Sequence, residues 1–220
     1  MEFEDVVRTT FAARAFTDDP VDDAAIVRLL ELARFAPSGG NRQGWHVVVV
    51  RAEATRARMR ALMEPLARRY VAQRMLGENP YSTVTPSRAT DEQVAATTLP
   101  PGLLDWVEAA PVILVVTVDL DVVASFDAGL DRVGVISGAS IYPFVWNILL
   151  TARSLGLGGT LTTFLAGAEE EAKALLGIPA AHALAAVLPI GRPVRQLKKL
   201  SRRPVAAFAT RERFDGEALG

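Results

Sequence analysis

Helical patterns interleaved with a few strongly apolar strands predict an α/β or α+β protein, with one mixed sheet held between helical layers. Three observations carry this expectation. Strand-like runs occur at Val47-Val48-Val49-Val50, from Pro111 to Val116 and from Ala185 to Ile190. Ile26, Leu29, Leu30 and Ala33 recur at helical spacing. A chain of 220 residues, half of them hydrophobic, can bury one sizeable core, so residues 1–220 read as a single domain.

The first long helix is expected over 22–35, with Asp22 and Asp23 able to cap its start and Pro37 just past its end. It leads into "APSGGNRQGW" at 36–45, a loop of small and hydrogen-bonding residues that feeds the valine run. Such a loop lets a ligand approach the backbone closely, or it is simply a helix stop and a turn. The valines, with no polar alternation, read as a strand covered on both faces. Beyond them Arg56, Arg58, Arg60, Arg68 and Arg69 alternate with Met59, Leu62, Met63 and Leu66 in an amphipathic helix, the arginines reading as a solvated face.

Residues 77–102 are punctuated by Gly77, Pro80, Pro86, Pro100, Pro101 and Gly102, which suggests a lid or mobile insertion. A second central strand is expected at 111–116. No charge falls between Arg132 and Arg153; a run of about 20 uncharged residues matches a membrane span. Its Ser137, Gly138, Ser140, Pro143 and Asn147 favour a helix at 133–152 buried inside a protein or an oligomer interface. "GLGGTLTTF" at 156–164 follows. Glu169, Glu170 and Glu171 then suit a helix start, with a stop at Gly177. A third strand at 185–190 precedes a basic tail from 192 onward.

Composition excludes several chemistries. The chain has no cysteine and only His46 and His182, which removes disulfides, thiolate nucleophiles and multi-histidine metal sites. A net charge of −1 gives no global attraction to nucleic acid or anionic membrane. Arg192, Arg195, Lys198, Lys199, Arg202 and Arg203 form a local cluster able to bind phosphate, with no interleaved aromatic to stack a base. The acidic start Met1-Glu2-Phe3-Glu4-Asp5 lacks a secretory pattern, so a cytoplasmic location is expected. The glycines at 156–159 follow a helix rather than a strand and lack the lysine of a P-loop; they read as a helix cap with an edge strand, or as backbone lining a flat ligand. No Gly-x-Ser-x-Gly elbow occurs, and Asp127, Asp131 and Glu169 read as solvated.

Taken in chain order, "RAFTDDPV" at 14–21, "APSGGNRQGW" at 36–45, "GLGGTLTTF" at 156–164 and "LLGIP" at 175–179, followed by a basic arm, resemble the nitroreductase family of FMN-dependent oxidoreductases. The resemblance implies an α+β three-layer fold with a mixed central sheet flanked by helices, in an intertwined homodimer with two FMN sites at the subunit interface. The uncharged segment would be the dimer core, and an arm at about 192–220 would embrace the partner. It further implies that Arg14 lies near the flavin pyrimidine, that Ser38, Gly39, Gly40 and Asn41 come from the partner subunit, and that Leu161, Thr162 and Thr163 line the other side of the ring. Arg202 would hold the phosphate, helped by Lys199 or Arg203. Two departures stand out: Thr10-Phe11-Ala12 replaces Arg-Arg/His-Ser, with Arg8 as a nearby substitute, and Gly44 replaces a proline.

The implied activity is a two-step transfer, first from NAD(P)H to FMN and then to a nitroaromatic, a quinone or a related flat acceptor, with no side chain acting as a general base. Nucleic acid and membrane partners are not expected. A flavin-sequestering protein, and a dehalogenase or dehydrogenase on the same scaffold, are the alternatives.

Overall fold

A computed structural model describes residues 1–220. Helices α1 (Phe3–Thr9) and α2 (Asp23–Ala33) precede strand β1 (Trp45–Val50). Then come α3 (Glu53–Met75), α4 (Asp91–Ala96), α5 (Trp106–Ala109), β2 (Val112–Asp119), α6 (Tyr142–Ser154), β3 (Gly158–Gly159), α7 (Glu169–Leu176) and β4 (His182–Gly191). The sheet order is β1-β2-β4-β3.

Alternation along the central strand β2 splits the core into two layers. Leu114 and Val116 face α2 and α6, packing with Ile26, Leu29, Phe144 and Ile148. Ile113 and Val115 face the opposite side, where α3 and α5 supply Met59, Met63, Trp106 and Val107. Period-2 alternation with both faces apolar is what a sheet between two helical layers requires. The α+β three-layer architecture is therefore present. Every strand pairing is antiparallel, and parallel pairing is confined to the isolated Ala12–Gly159 bridge, so the sheet is less mixed than expected.

Several elements start and stop for visible reasons. The Asp22 carboxylate accepts the Ala25 N–H (2.7 Å) and caps α2. Gly177, at φ +67°, closes α7 in the left-handed conformation that glycine adopts without strain. The uncharged segment is not one helix over 133–152: Ile136–Ser140 is a 3-10 turn, and α6 begins only at Tyr142, with Pro143 in its first turn. No helix is long and apolar enough to cross a membrane.

Three further expectations are corrected. The valine run is an edge strand paired only with β2, and it is not covered on both faces, since Val49 is 41% exposed. Arg56 is not on a solvated face: it is buried and donates to the Glu108, Ala110 and Pro111 carbonyls at the end of α5. Burial pushes its pKa down. Asp127 is also buried. Its carboxylate accepts from Ser125 Oγ (2.8 Å), Arg132 (2.8 Å) and the Val135 N–H (2.7 Å), so it organises the loop ahead of α6.

Candidate functional site

The segment 10–17 reaches the sheet by backbone pairing. Ala13 N–H donates to Gly159 O (3.0 Å), and on the other side Val194 N–H donates to Ala15 O (3.1 Å) while Thr17 N–H donates to Arg192 O (2.9 Å). Gly159 permits this approach: a Cβ there would run into Pro189 O and lie 2.7 Å from Ile190 Cδ1. Thr162 is pinned in turn by a reciprocal pair with Val187 (3.0 and 2.8 Å). Two stretches separated by about 150 residues thus flank one opening, a cavity of ≈ 1080 Å³ whose wall includes Arg14, Leu161, Thr162 and Thr163.

Arg14 is exposed and makes only a 3.5 Å contact with Ala12 O, so its charge is unspent. A second depression of ≈ 750 Å³ along β1 differs on this point: its Arg51 is paired with Asp23 at 2.9 Å. Unspent positive charge beside a large, mostly apolar hollow is what a flat anionic or electron-accepting ligand requires.

Sequence reasoning missed the aromatic wall. All three tyrosines of the chain, Tyr70, Tyr81 and Tyr142, line this cavity, together with Trp106 and Phe164. Tyr70 stands edge-on to Phe164, with ring centroids 5.6 Å apart. Tyr81 belongs to the 77–102 segment. Its hydroxyl donates to Leu66 O (2.9 Å), its N–H donates to Gln73 Oε1 (3.2 Å), and burial pushes the phenol pKa up while Arg69 opposes this. The segment is further tied through Glu78, which accepts from Ser87 Oγ and the Arg88 N–H, both at 2.7 Å. The one signal available beforehand was the scarcity of tyrosine, with one of three placed inside the insertion.

Five further expected residues lie outside this chain's own cavity, and four of them are those expected from a partner subunit. Ser38, Gly39, Gly40 and Asn41 form a turn of their own, in which Ser38 Oγ accepts the Gln43 N–H (3.0 Å) and Gly39 N–H donates to Ser140 Oγ (3.1 Å). Gly40 and Asn41 have φ of 61° and 53°. Arg202 is exposed, donating to Ser201 O. The glycine at 44 has a local reason: a Cβ there would lie 2.6 Å from Val122 Cγ2. Trp45 beside it stacks on Phe144 with ring centroids 4.7 Å apart, fixing the loop to α6.

A provisionally named NADH dehydrogenase/NAD(P)H nitroreductase of Archaeoglobus fulgidus is 39% identical over 46 residues, 21% of this chain and 26% of that protein. Among solved structures, oxidised iodotyrosine deiodinase bound to FMN and 3-iodo-L-tyrosine is similar at a TM-score of 0.67 and 21% identity, covering 93% of this chain and 96% of that one. The NADPH:FMN oxidoreductase of Vibrio harveyi in complex with NAD+ has a TM-score of 0.68 and 19% identity, covering 97% of this chain and 78% of that one. These two likenesses are of fold. The family model described as Nitroreductase family matches residues 7–192, a span holding every residue of the cavity wall and the whole sheet, and the chain accordingly belongs to the nitroreductase family.

Proposed function

We propose that this protein is an FMN-dependent NAD(P)H oxidoreductase that reduces nitroaromatics, quinones or related conjugated acceptors. The observation that supports this best is the convergence of the unspent Arg14 with Leu161, Thr162 and Thr163 on one aromatic-walled cavity. Its ≈ 1080 Å³ accommodates a tricyclic ring with space for a second flat molecule, being at the upper end of small-ligand sites. FMN held there would supply the two-electron chemistry, taking hydride from a nicotinamide and passing electrons to an acceptor.

The chain's own residues then have defined tasks. Arg14 places a fixed cation where negative charge would develop, which needs no proton transfer. The Thr162 and Thr163 hydroxyls, uncommitted within the chain, are available to ring heteroatoms. Tyr70, Tyr81 and Phe164 exclude water and offer faces for an aromatic acceptor.

The site is read as completed by a second copy. The chain exposes 13219 Å²; a compact monomer of this mass exposes about 9800 Å². That surplus is on the scale of an obligate dimer interface. Residues 201–220 contain no buried residue, and Phe208 and Phe214 are exposed, so this arm has no core of its own. In a homodimer the arm would embrace the partner, each chain's Ser38–Asn41 turn would reach the other's cavity, and Arg202 would meet the FMN phosphate. The deiodinase likeness favours a second reading, a dehalogenase on the same scaffold.

Purified protein tests the proposal. A yellow chromophore bleached by NADH or NADPH and recoloured by menadione or a nitrofuran is expected. A bound flavin that neither nicotinamide reduces would refute it, and turnover of halophenols alone would select the second reading.

A further inference from the structure

Resting on the flavin reading above, we propose that the Tyr70 phenol is a catalytic residue, the proton donor to the oxygen of a quinone acceptor. Three tyrosines line the cavity, and two of them have committed their hydroxyls to the backbone. Tyr81 Oη donates to Leu66 O (2.9 Å), and Tyr142 Oη donates to Ala185 O (3.4 Å). The Tyr70 hydroxyl has no hydrogen-bond partner in the chain. The sole fully buried side-chain polar atom without a partner is Arg56 Nε, so the Tyr70 hydroxyl is accessible on the cavity wall.

Packing, not the hydroxyl, fixes the ring in place. Tyr70 stands on α3 one turn after Leu66 and on the same face, and both residues line the cavity. Leu66 is itself packed so closely that a Cβ at Gly167 would lie 2.7 Å from its Cδ2. The Tyr70 and Phe164 rings meet at 83°, and Phe164 directly follows Thr162 and Thr163. Tyr70 is thereby held beside the segment assigned to the flavin ring.

Reducing a quinone to a hydroquinone takes two electrons and two protons. Hydride from the reduced flavin carries both electrons and the first proton to one quinone oxygen, and the other oxygen becomes a phenolate. The second proton comes from Tyr70: its O–H bond breaks as the O–H bond of the product forms. The tyrosinate left behind recovers a proton from solvent once the product leaves. Donor and product are both phenols, so their acidities match and the transfer is close to thermoneutral, as effective general acid catalysis requires. Other groups on the wall do not serve. Arg14 does not release its proton, the threonine alcohols are far weaker acids than a phenol, and no carboxylate or histidine lines the cavity.

Tyr70→Phe tests the assignment, since it keeps the ring against Phe164 and removes a hydroxyl that makes no bond within the chain. The first readout is reoxidation of the dithionite-reduced holoprotein, by 1,4-benzoquinone and by ferricyanide, in anaerobic stopped flow. Ferricyanide accepts single electrons and no proton. The variant should be slower toward benzoquinone by about tenfold or more, the loss of one hydrogen bond to a charged group, and unchanged toward ferricyanide. The second readout is equilibrium binding, by calorimetry, of pentafluorophenol, ionised at neutral pH, and of pentafluorobenzene, which lacks the oxygen. The variant should bind the phenolate about tenfold more weakly and the fluorobenzene equally well. Equal slowing toward both oxidants, an unaltered benzoquinone rate or unaltered phenolate affinity would overturn the assignment alone. A wild type that holds no flavin, or whose reduced flavin benzoquinone does not reoxidise, would refute the functional reading and the assignment with it.

Discussion

Replacing Gly159 by alanine tests how the cavity is built. The added Cβ would press on Pro189 O, which belongs to the backbone of β4, and would sit 2.7 Å from Ile190 Cδ1 and 3.2 Å from Leu149 Cδ2. A side chain could rotate away, but a carbonyl of a central strand cannot. The cost therefore falls toward the upper part of the overpacking range, about 2–3 kcal/mol. For a chain of this length that lowers Tm by roughly 5–10 °C. Because Gly159 O holds Ala13 N–H, the same shift moves Arg14 away from Thr162 and Thr163, so the cofactor content should fall together with stability. Thermal denaturation followed by circular dichroism, with the flavin-to-protein absorbance ratio of the same sample, reads both effects. A variant with wild-type Tm and full flavin content would show that the close approach of segment 10–17 to β3 does not shape the site.

Other substitutions probe separate parts. Arg14→Ala removes an exposed cation worth about 1 kcal/mol at contact distance in water, so the two-electron midpoint potential should fall by roughly 20 mV; an unchanged potential in a dye-coupled titration would remove Arg14 from the ring. Tyr81→Ala deletes an aromatic face worth about 0.5–1.5 kcal/mol, so KM for aromatic acceptors should rise by about 2- to 12-fold with KM for NAD(P)H unaltered, and equal changes in both would place Tyr81 elsewhere. The hydrogen bond from Val135 N–H, with those from Ser125, Arg132 and Ile136, holds the Asp127 carboxyl well below its usual range. Its contribution is then complete above the ordinary carboxylate value near 3.8 and is lost as pH falls below it. The acid limb of stability should flatten in Asp127→Asn, as measured by urea midpoints from pH 6 down to pH 3, and an identical limb in the variant would deny the loop its anchor.

What could be read from sequence followed from locality. The capped α2, the two-faced β2 and the Gly177 stop depend on neighbours within a few residues, and they appear where the pattern predicts. Arg14 and Leu161–Thr163 could be paired only through resemblance, because the contact between their segments passes through backbone atoms that no side-chain pattern reports. The valine run gave the right element in the wrong place: periodicity records what a strand can bury, whereas edge position depends on how many partners the chain supplies. Asp127 and Arg56 were misread for a related reason. Charged residues are usually solvated, and only the folded loop and the end of α5 bring the carbonyls and N–H groups that make their burial stable. The aromatic wall was hidden because Tyr70, Tyr81, Trp106 and Phe164 lie on four different segments.

Native mass spectrometry of the purified protein tests the central claim most directly, namely that two chains jointly enclose the cofactor. The account predicts a species of twice the 23.6 kDa chain mass carrying two FMN, from which the flavin leaves when the dimer dissociates. A single chain that keeps its flavin, or a dimer that binds none, would contradict it.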